Sequence, residues 1–228
     1  MKIVITEQAM ARFPEMSASF LLVDLSKIAH ITPLEREASL MRDLKAAFES
    51  EEALENHYLS GLYDNFYRSM GLKVRKVSTP AKQVARVLAT KSYRPVSPII
   101  DLCMDVEYST LVSFQAYDAS KIVDSISYAI AEGNESIITF RGEDKICKVG
   151  ELVLKDEQGV IHSSYYGNAR RCALDSSSKT ALVRLLGIPG IKKMDLDAAE
   201  RRFSANTQPI ASCRVSASQC FCVLPVIS

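Results

Sequence analysis

Apolar residues follow two different spacings along this chain, one typical of helices and one typical of strands. Between residues 33 and 111 they recur mostly every three or four positions, as on the buried face of an amphipathic helix. This pattern predicts helices at about residues 33–50, 51–70, 80–88 and 98–111. The second helix has the clearest stripe, with an apolar or aromatic residue every four positions, and Gly71 is positioned to end it.

Short β-type runs lie on both sides of this helical stretch. Before it, residues 2–6 and 18–25 predict strands, and the second has the unbroken apolar centre of an inner strand. After it, strands are predicted at residues 136–140, 151–155, 160–166 and 180–186. The tail, residues 209–227, alternates like a strand pair. Two elements of helical spacing complete the pattern, an amphipathic one at residues 122–131 and a last helix at residues 195–203.

Helices followed by a mostly antiparallel sheet indicate an α+β fold. We expect one domain over residues 1–228, with a helical part at about 30–110 and a sheet-rich part at about 111–228. The stretch between about 111 and 121, which includes Gln115, is interpreted as a short aromatic and acidic turn.

The composition is that of an ordinary soluble globular protein, with 47% hydrophobic and 24% charged residues among 228. No apolar run approaches the ~20 residues that a membrane-spanning helix needs, and the first residues contain no signal-peptide core. We therefore expect a cytoplasmic protein without membrane contact. The sequence has no P-loop, Rossmann fingerprint, HExxH or GxSxG element. It therefore gives no support for the common nucleotide-binding and hydrolase classes, and we expect no cofactor.

Six cysteines are present, and three of them, Cys213, Cys220 and Cys222, are close together near the end of the sequence. Because no secretion signal is visible, we expect free buried thiols rather than disulfides. The spacing matches no zinc template, so we expect no metal site.

The net charge of +1 hides an uneven distribution. Residues 65–100 contain no Asp or Glu, yet they carry eight Lys and Arg residues. Such a stretch is a candidate surface for a polyanion, and a solvated helix face is an equally good interpretation. The candidates for contact with an RNA backbone are Lys73, Arg75, Lys76, Lys82 and Arg86.

An ordered set of residue types carries a resemblance to a known family. The run 98–105 reads Pro-Ile-Ile-Asp-Leu-Cys-Met-Asp, and residues 115–118 then read Gln-Ala-Tyr-Asp. This order is similar to that in the B3/B4 editing domain of the phenylalanyl-tRNA synthetase β chain, where the second motif reads His-Ala-Phe-Asp. The Tyr-Tyr-Gly-Asn-Ala-Arg-Arg stretch at 165–171 resembles the family's aromatic, asparagine and arginine loop. The resemblance covers about residues 60–190.

The resemblance implies a set of pocket residues in which several of the family's chemical groups are changed. The family's pocket histidine corresponds to Gln115 and its threonine to Cys103. The glycine that admits a ligand ring corresponds to Tyr165, and the glutamate that binds a phenol hydroxyl corresponds to Arg184. Together with Asn168 and Arg170, these residues are the candidates for the substrate pocket. Glutamine does not titrate, so the sequence identifies no catalytic base.

The function implied by the resemblance is binding of a tRNA acceptor end, with tRNA or aminoacyl-tRNA as the partner. Deacylation of a mischarged aminoacyl ester remains open, because an activated ester can react with a water that is only positioned. The alternative is a non-catalytic module that binds a small, amino-acid-like molecule on the same fold. Two acids of the first motif, Asp101 and Asp105, share a helix face. We expect them to meet Lys91 or Arg94, or water, rather than a cation.

Overall fold

The computed structural model describes residues 1–28, 32–48, 50–216 and 218–225. Within these residues the α-helices are α1 (Glu7–Arg12), α2 (Pro33–Ala47), α3 (Glu51–Glu55), α4 (Tyr58–Ser69), α5 (Pro80–Thr90), α6 (Pro98–Thr110) and α7 (Lys193–Thr207). The strands are β1 (Lys2–Ile5), β2 (Ser17–Asp24), β3 (Ser113–Asp118), β4 (Ile126–Ile130), β5 (Ser136–Ile138), β6 (Asp144–Ile146), β7 (Leu152–Asp156), β8 (Gly159–Ser163), β9 (Gly167–Asn168), β10 (Thr180–Gly187), β11 (Ala211–Ser216) and β12 (Phe221–Val223).

These strands form two larger sheets and a separate hairpin. The six-stranded sheet has the order β12-β1-β4-β7-β8-β9, the four-stranded sheet has the order β11-β2-β10-β3, and β5 pairs with β6. Strands β1 and β4 run parallel, and the other pairs of these sheets are antiparallel. The predicted α+β class with a mostly antiparallel sheet is therefore confirmed.

The alternation of side chains along β10 shows how the layers are arranged. Leu182 and Leu186 belong to a core cluster shared with β1, β4, β7 and β8 of the six-stranded sheet. Their neighbours Val183 and Leu185 belong to a second cluster with α6 and α7. Because successive strand residues point to opposite faces, the four-stranded sheet has the other sheet on one face and two helices on its opposite face. A third cluster joins α2, α3 and α5 to α6.

The helical stretch begins and ends at recognisable signals. Thr32 caps α2 with its hydroxyl, which accepts from the Glu35 backbone, while the Glu35 carboxylate accepts from the Thr32 backbone. The expected single helix at residues 51–70 is wrong, because α3 and α4 are separate. The break falls at His57, whose extended backbone leaves the helix and whose Nδ1 accepts from the Leu59 backbone 3.3 Å away. Leu54 and Phe66, members of the predicted stripe, are buried on either side of the break.

Two further predictions about local structure are corrected by the fold. The stretch interpreted as a turn contains strand β3, because α6 ends at Leu111 with a left-handed backbone (φ 55°) and the chain then pairs with β10. The first four residues of β3, 113–116, alternate in polarity, but the run is short and both faces of the strand contact other layers. The element at 122–131 contains strand β4, which is nearly all buried between β1 and β7.

The end of the chain differs from expectation in its cysteines. Strand β11 joins the four-stranded sheet and β12 joins the six-stranded sheet, and this brings Cys213 and Cys222 together in a disulfide with Cα atoms 6.0 Å apart. The expectation of free thiols is therefore wrong for this pair. Cys103, Cys147 and Cys172 are free and buried, and Cys220 is free and exposed. Residues 217, 226 and 227 of the predicted strand pair lie outside the described residues.

Two general features complete the description. Among the helices of the described ranges, none combines the length and apolar character that crossing a membrane requires. No group of three or more His, Cys, Asp or Glu side chains in the same ranges is arranged to hold a metal ion.

Candidate functional site

A pocket of about 860 Å³ lies where the edges of the two sheets approach each other. Strand β3 is the edge of the four-stranded sheet and contributes Gln115, and β9 is the edge of the six-stranded sheet and contributes Asn168. Most of the remaining wall is apolar. It includes Leu25, Ile28, Val96, Pro98, Ile99, Ile100, Ala116, Phe140, Ala173 and Leu174. Such a volume and lining are typical of sites for small organic ligands.

The wall formed by the start of α6 is held in place by Asp101. Its Oδ1 accepts hydrogen bonds from the Tyr93 hydroxyl at 2.6 Å and from the Val96 backbone at 2.8 Å. This carboxylate therefore fixes the loop that brings Val96, Ser97 and Pro98 to the pocket. The expected partners of Asp101 and Asp105 are wrong, because Asp105 pairs with buried Arg36 of α2. A partner 69 residues away cannot be recognised from helix spacing.

Behind the polar part of the pocket lies a chain of three hydrogen-bonded side chains. Asn168 Oδ1 is 2.7 Å from His162 Nδ1, and His162 Nε2 is 3.4 Å from Arg184 Nη2. An amide oxygen can only accept and a guanidinium can only donate, so the imidazole carries its proton on Nδ1. Burial, together with the Arg184 charge, holds the pKa of His162 well below its usual value, and the ring is neutral.

Arg184 is 2% exposed and lies between the two sheets. On β10 it is the register partner of Gln115 of β3, so the two side chains share a face of the sheet. Its guanidinium carbon is 6.0 Å from the centre of the Tyr128 ring. Three buried polar atoms of this region have no hydrogen-bond partner among the described residues: Arg184 Nε, Tyr117 Oη and Tyr128 Oη.

The other residues suggested for the pocket lie elsewhere. Cys103 is buried in the cluster between α6, α7 and the four-stranded sheet, and burial raises the pKa of its thiol. Tyr165 is half-buried and packs against the core between the sheets, with the Lys148 ammonium 5.7 Å from its ring. Arg170 is exposed in the turn after β9. The pocket lining includes Gln115 and Asn168 from the set of six.

Sequence reasoning missed Phe140, which lines the pocket although its side chain is 69% exposed. It follows β5 at the tip of the small hairpin, which an isolated bridge between Thr139 and Ala169 joins to the six-stranded sheet. Arg170 lies against this tip. Its Nη1 atom is so close to Gly142 that a Cβ atom added to the glycine would be only 3.1 Å from it. The signal in the sequence was an aromatic residue directly before the Arg141-Gly142 turn.

The predicted basic residues are all exposed, on the segment before α5 and on its first turns. Lys73, Arg75 and Lys76 surround a 3-10 turn, and Lys82 and Arg86 are one helical turn apart. Lys82 Nζ donates to the carbonyl groups of Val74 and Val77, which fixes α5 against that turn. Within the described residues none of the five forms a salt bridge.

The described lining of the pocket offers groups that can bind a ligand but no side chain suited to accept a proton. Asp175, the carboxylate of its described lining, accepts from Lys121 Nζ at 2.5 Å and from the Ser177 backbone at 2.8 Å. The hydrogen bond from Lys121 lowers the pKa of Asp175, which makes this carboxylate a poor base. His162 is engaged through both ring nitrogens. A reaction at this pocket would therefore rely on positioning of the reactants and on hydrogen-bond donors.

Comparison with known proteins gives a consistent result. A family model described as the B3/4 domain matches residues 62–211. The phenylalanine–tRNA ligase beta subunit of Fusobacterium nucleatum subsp. nucleatum is 26% identical over 125 residues, which are 54% of this chain and 16% of that subunit.

One solved structure, an N-terminal fragment of the phenylalanyl-tRNA synthetase beta subunit from Pyrococcus horikoshii, is 12% identical with a TM-score of 0.44. The superposition covers 91% of this chain and 49% of the fragment. The chain thus spans less than half of each of these relatives.

Proposed function

The chain belongs to the B3/4 domain family, and from this premise we propose that it binds the acceptor end of a tRNA. The named relative is a tRNA ligase subunit, of which this chain matches a small part. The proposal therefore takes from the relative only the class of partner. The contacts that support it come from the pocket and its surroundings.

The observation that carries the proposal is the exposed ring of Phe140 at the pocket, with the Arg170 guanidinium close to Gly142 at the tip of the same hairpin. An exposed ring next to a guanidinium suits an unpaired nucleotide, because the base stacks on the ring and the phosphate meets the arginine. Phe140 is 69% exposed, so packing in the core does not explain an aromatic side chain at this position. Gln115 and Asn168, in the same pocket, offer amide groups to an aminoacyl group attached to that nucleotide.

The basic surface formed by Lys73, Arg75, Lys76, Lys82 and Arg86 supports the same proposal. These exposed cations lie in a stretch of sequence without acids, and within the described residues none of them forms a salt bridge, so each can meet a phosphate. The chain continues from α5 to Val96 and Ser97 at the pocket wall. We propose that this surface holds the phosphate backbone while the terminal nucleotide reaches the pocket.

Deacylation is the second step of the proposal. Water would add to the ester carbonyl carbon, the bond from that carbon to the ribose oxygen would break, and the amino acid and the free ribose hydroxyl would leave. No side chain of the described lining is suited to remove the proton of the water. The expected rate enhancement comes from orientation of the water and from donors at the carbonyl oxygen.

A second candidate function is favoured by the pocket itself. Its volume of about 860 Å³ and its apolar wall fit a free small molecule without any nucleic acid. In this case the basic surface would be a solvated face with no role in the activity.

The test is a titration of the full chain with uncharged tRNA at several salt concentrations, followed by incubation with a panel of aminoacyl-tRNAs. Binding that weakens steeply with salt supports tRNA as the partner, because phosphate contacts release counterions. Absence of binding at low salt would overturn the tRNA proposal and leave the small-molecule function. Binding without release of any amino acid would remove the deacylation step alone.

A further inference from the structure

A buried guanidinium without a carboxylate partner lies directly behind the pocket. Burial of a charge is costly unless an opposite charge or several hydrogen bonds compensate it. Arg184 is 2% exposed, and within the described residues its hydrogen bond is the one with His162, at 3.4 Å. Its Nε has no partner within the described residues, and none of its nitrogen atoms there lies within 4.0 Å of a carboxylate oxygen. The fold therefore keeps a cation whose compensation is incomplete.

The titratable groups that face Arg184 leave this positive charge largely uncancelled. Burial raises the pKa of Tyr117 and Tyr128, so both phenols are neutral. Burial also raises the pKa of Glu107, the acid whose charge acts on Arg184, to about 7. The Glu107 carboxylate is engaged elsewhere, since it accepts from the Phe114 backbone at 2.7 Å and from Gln83 Nε2 at 3.1 Å. Because burial favours the neutral form of Glu107 and its oxygen atoms are engaged by other donors, this acid offsets only part of the charge.

Two routes lead from Arg184 to the pocket. Gln115 is its register partner on β3 and shares its face of the sheet. Asn168 is joined to it through His162, and because Asn168 Oδ1 accepts from the imidazole, the amide NH₂ remains as a donor. Both amides line the pocket. Asp175, the acid of the described lining, is already paired with Lys121.

We propose that the pocket selects a ligand with an apolar body and a carboxylate, whose oxygen atoms accept from Gln115 and Asn168 in front of Arg184. This inference rests on the pocket being the ligand site of the proposed function, and it defines the class of ligand. The carboxylate can belong to a free organic acid or to the side chain of an acidic aminoacyl group on a tRNA. In the second case the α-carboxyl group is consumed in the ester, so the side chain must supply the charge.

Matched pairs of probes separate the charge from the shape of the ligand. Hydrocinnamate and hydrocinnamamide have the same apolar body, and calorimetry measures the affinity of each for the wild-type chain. Glutamate and glutamine esterified to the same tRNA form the corresponding pair for the tRNA-bound source, with that tRNA uncharged as the baseline. We expect the carboxylate of at least one pair to bind ten times more tightly than its amide.

The decisive variant is Gln115→Glu, which places a carboxylate of the chain itself beside Arg184. We expect it to fold, and to lose the preference for the carboxylate probe by at least tenfold. Ser176→Glu is the control, because it adds the same charge to an exposed residue of the pocket lining and should weaken the probe only a few-fold. Arg184→Gln should abolish the preference if it folds, and the Gln115→Glu result stands without it.

The outcomes distinguish this inference from the function on which it rests. Equal affinity for carboxylate and amide in both pairs, or an unchanged preference in Gln115→Glu, overturns the inference even if uncharged tRNA binds. A carboxylate preference for hydrocinnamate without any binding of tRNA supports the inference and overturns the tRNA proposal. A preference in the aminoacyl-tRNA pair alone supports both and identifies the esterified source.

Discussion

The Nδ1 atom of His162 lies 2.7 Å from Oδ1 of Asn168, and this contact joins the interior of the molecule to the pocket. His162 is on β8 and Asn168 is its register partner on β9. The other ring nitrogen faces Arg184. A neutral imidazole thus orients an amide at the pocket and supplies the acceptor of a buried cation.

We therefore expect His162→Leu to lower the free energy of unfolding by about 3 kcal/mol, because it leaves Arg184 without its acceptor and Asn168 Oδ1 without its donor. Urea denaturation measures this change. His162→Gln is the matched control, since its amide can replace one of the two hydrogen bonds, and we expect an intermediate loss. A leucine variant as stable as the wild type would show that this chain of contacts contributes nothing.

Glu107 should make stability depend on pH in an identifiable direction. Burial raises its pKa from the ordinary value of 4.5 to about 7. Because the folded state then binds this proton more tightly than the unfolded state, the Glu107 contribution increases stability as the pH falls from about 7 to 4.5. The difference between these two pKa values corresponds to about 3 kcal/mol.

The measurement compares urea unfolding of the wild type and Glu107→Gln at pH 8, 7, 6 and 5. Between pH 5 and pH 8 the wild type should lose the Glu107 contribution to its stability, whereas the variant has no such contribution to lose. The unfolding free energy of the variant minus that of the wild type should therefore be larger at pH 8 than at pH 5. His162, whose pKa is lowered by burial, acts in the opposite direction, but it is present in both proteins and cancels in the difference. A difference between the two proteins that does not change with pH would contradict the assignment.

The sequence predicted those parts of the fold that depend on local spacing. Strand β2 and helices α2, α5 and α6 follow from apolar periodicity and from capping residues such as Thr32. Strand β3 was missed because it is six residues long and directly follows α6, so the alternation of residues 113–116 was too short to identify it. The break before His57 was missed because a four-residue stripe continues through it.

The site was harder to predict because its contacts join distant segments. The order of motifs that carries the family resemblance identified Gln115 and Asn168 as pocket candidates. The structure brings both residues to one pocket. Asp105 could not be paired with Arg36, nor Arg170 placed against Gly142 at the tip of the hairpin, because neither contact follows from a fixed spacing. The burial of Arg184 was equally inaccessible, because an arginine within an apolar run fits both a ligand site and an internal ion pair.

The basic surface should contribute to tRNA affinity through phosphate contacts. Affinity for tRNA should fall as salt rises, so the slope of log affinity against log salt is negative. We expect Lys73→Ala, Arg75→Ala and Lys76→Ala, combined in one variant, to make this slope less steep by about 2 to 3. These side chains are exposed, so unfolding should be unchanged. Lys82 is left intact because it supports the backbone of Val74 and Val77.

Arg201→Ala is the control for this experiment, since Arg201 is an exposed cation of α7 outside the basic segment. It should leave the salt dependence close to that of the wild type. If the triple variant has the wild-type slope while tRNA still binds, the RNA backbone contacts another surface.

The exposed ring of Phe140 should contribute to tRNA binding and little to stability. Stacking of a base on an aromatic side chain is worth about 1–3 kcal/mol, so Phe140→Ala should weaken binding of uncharged tRNA by about 5-fold to 150-fold. Ile146→Ala on the same hairpin is the control. The side chain of Ile146 is 51% exposed, against 69% for Phe140, and it does not belong to the described pocket lining. Both variants should unfold at the same urea concentration as the wild type. Because the two residues share one hairpin, equal losses of affinity would indicate a general effect of the hairpin, and only a loss specific to Phe140 places the terminal base on its ring.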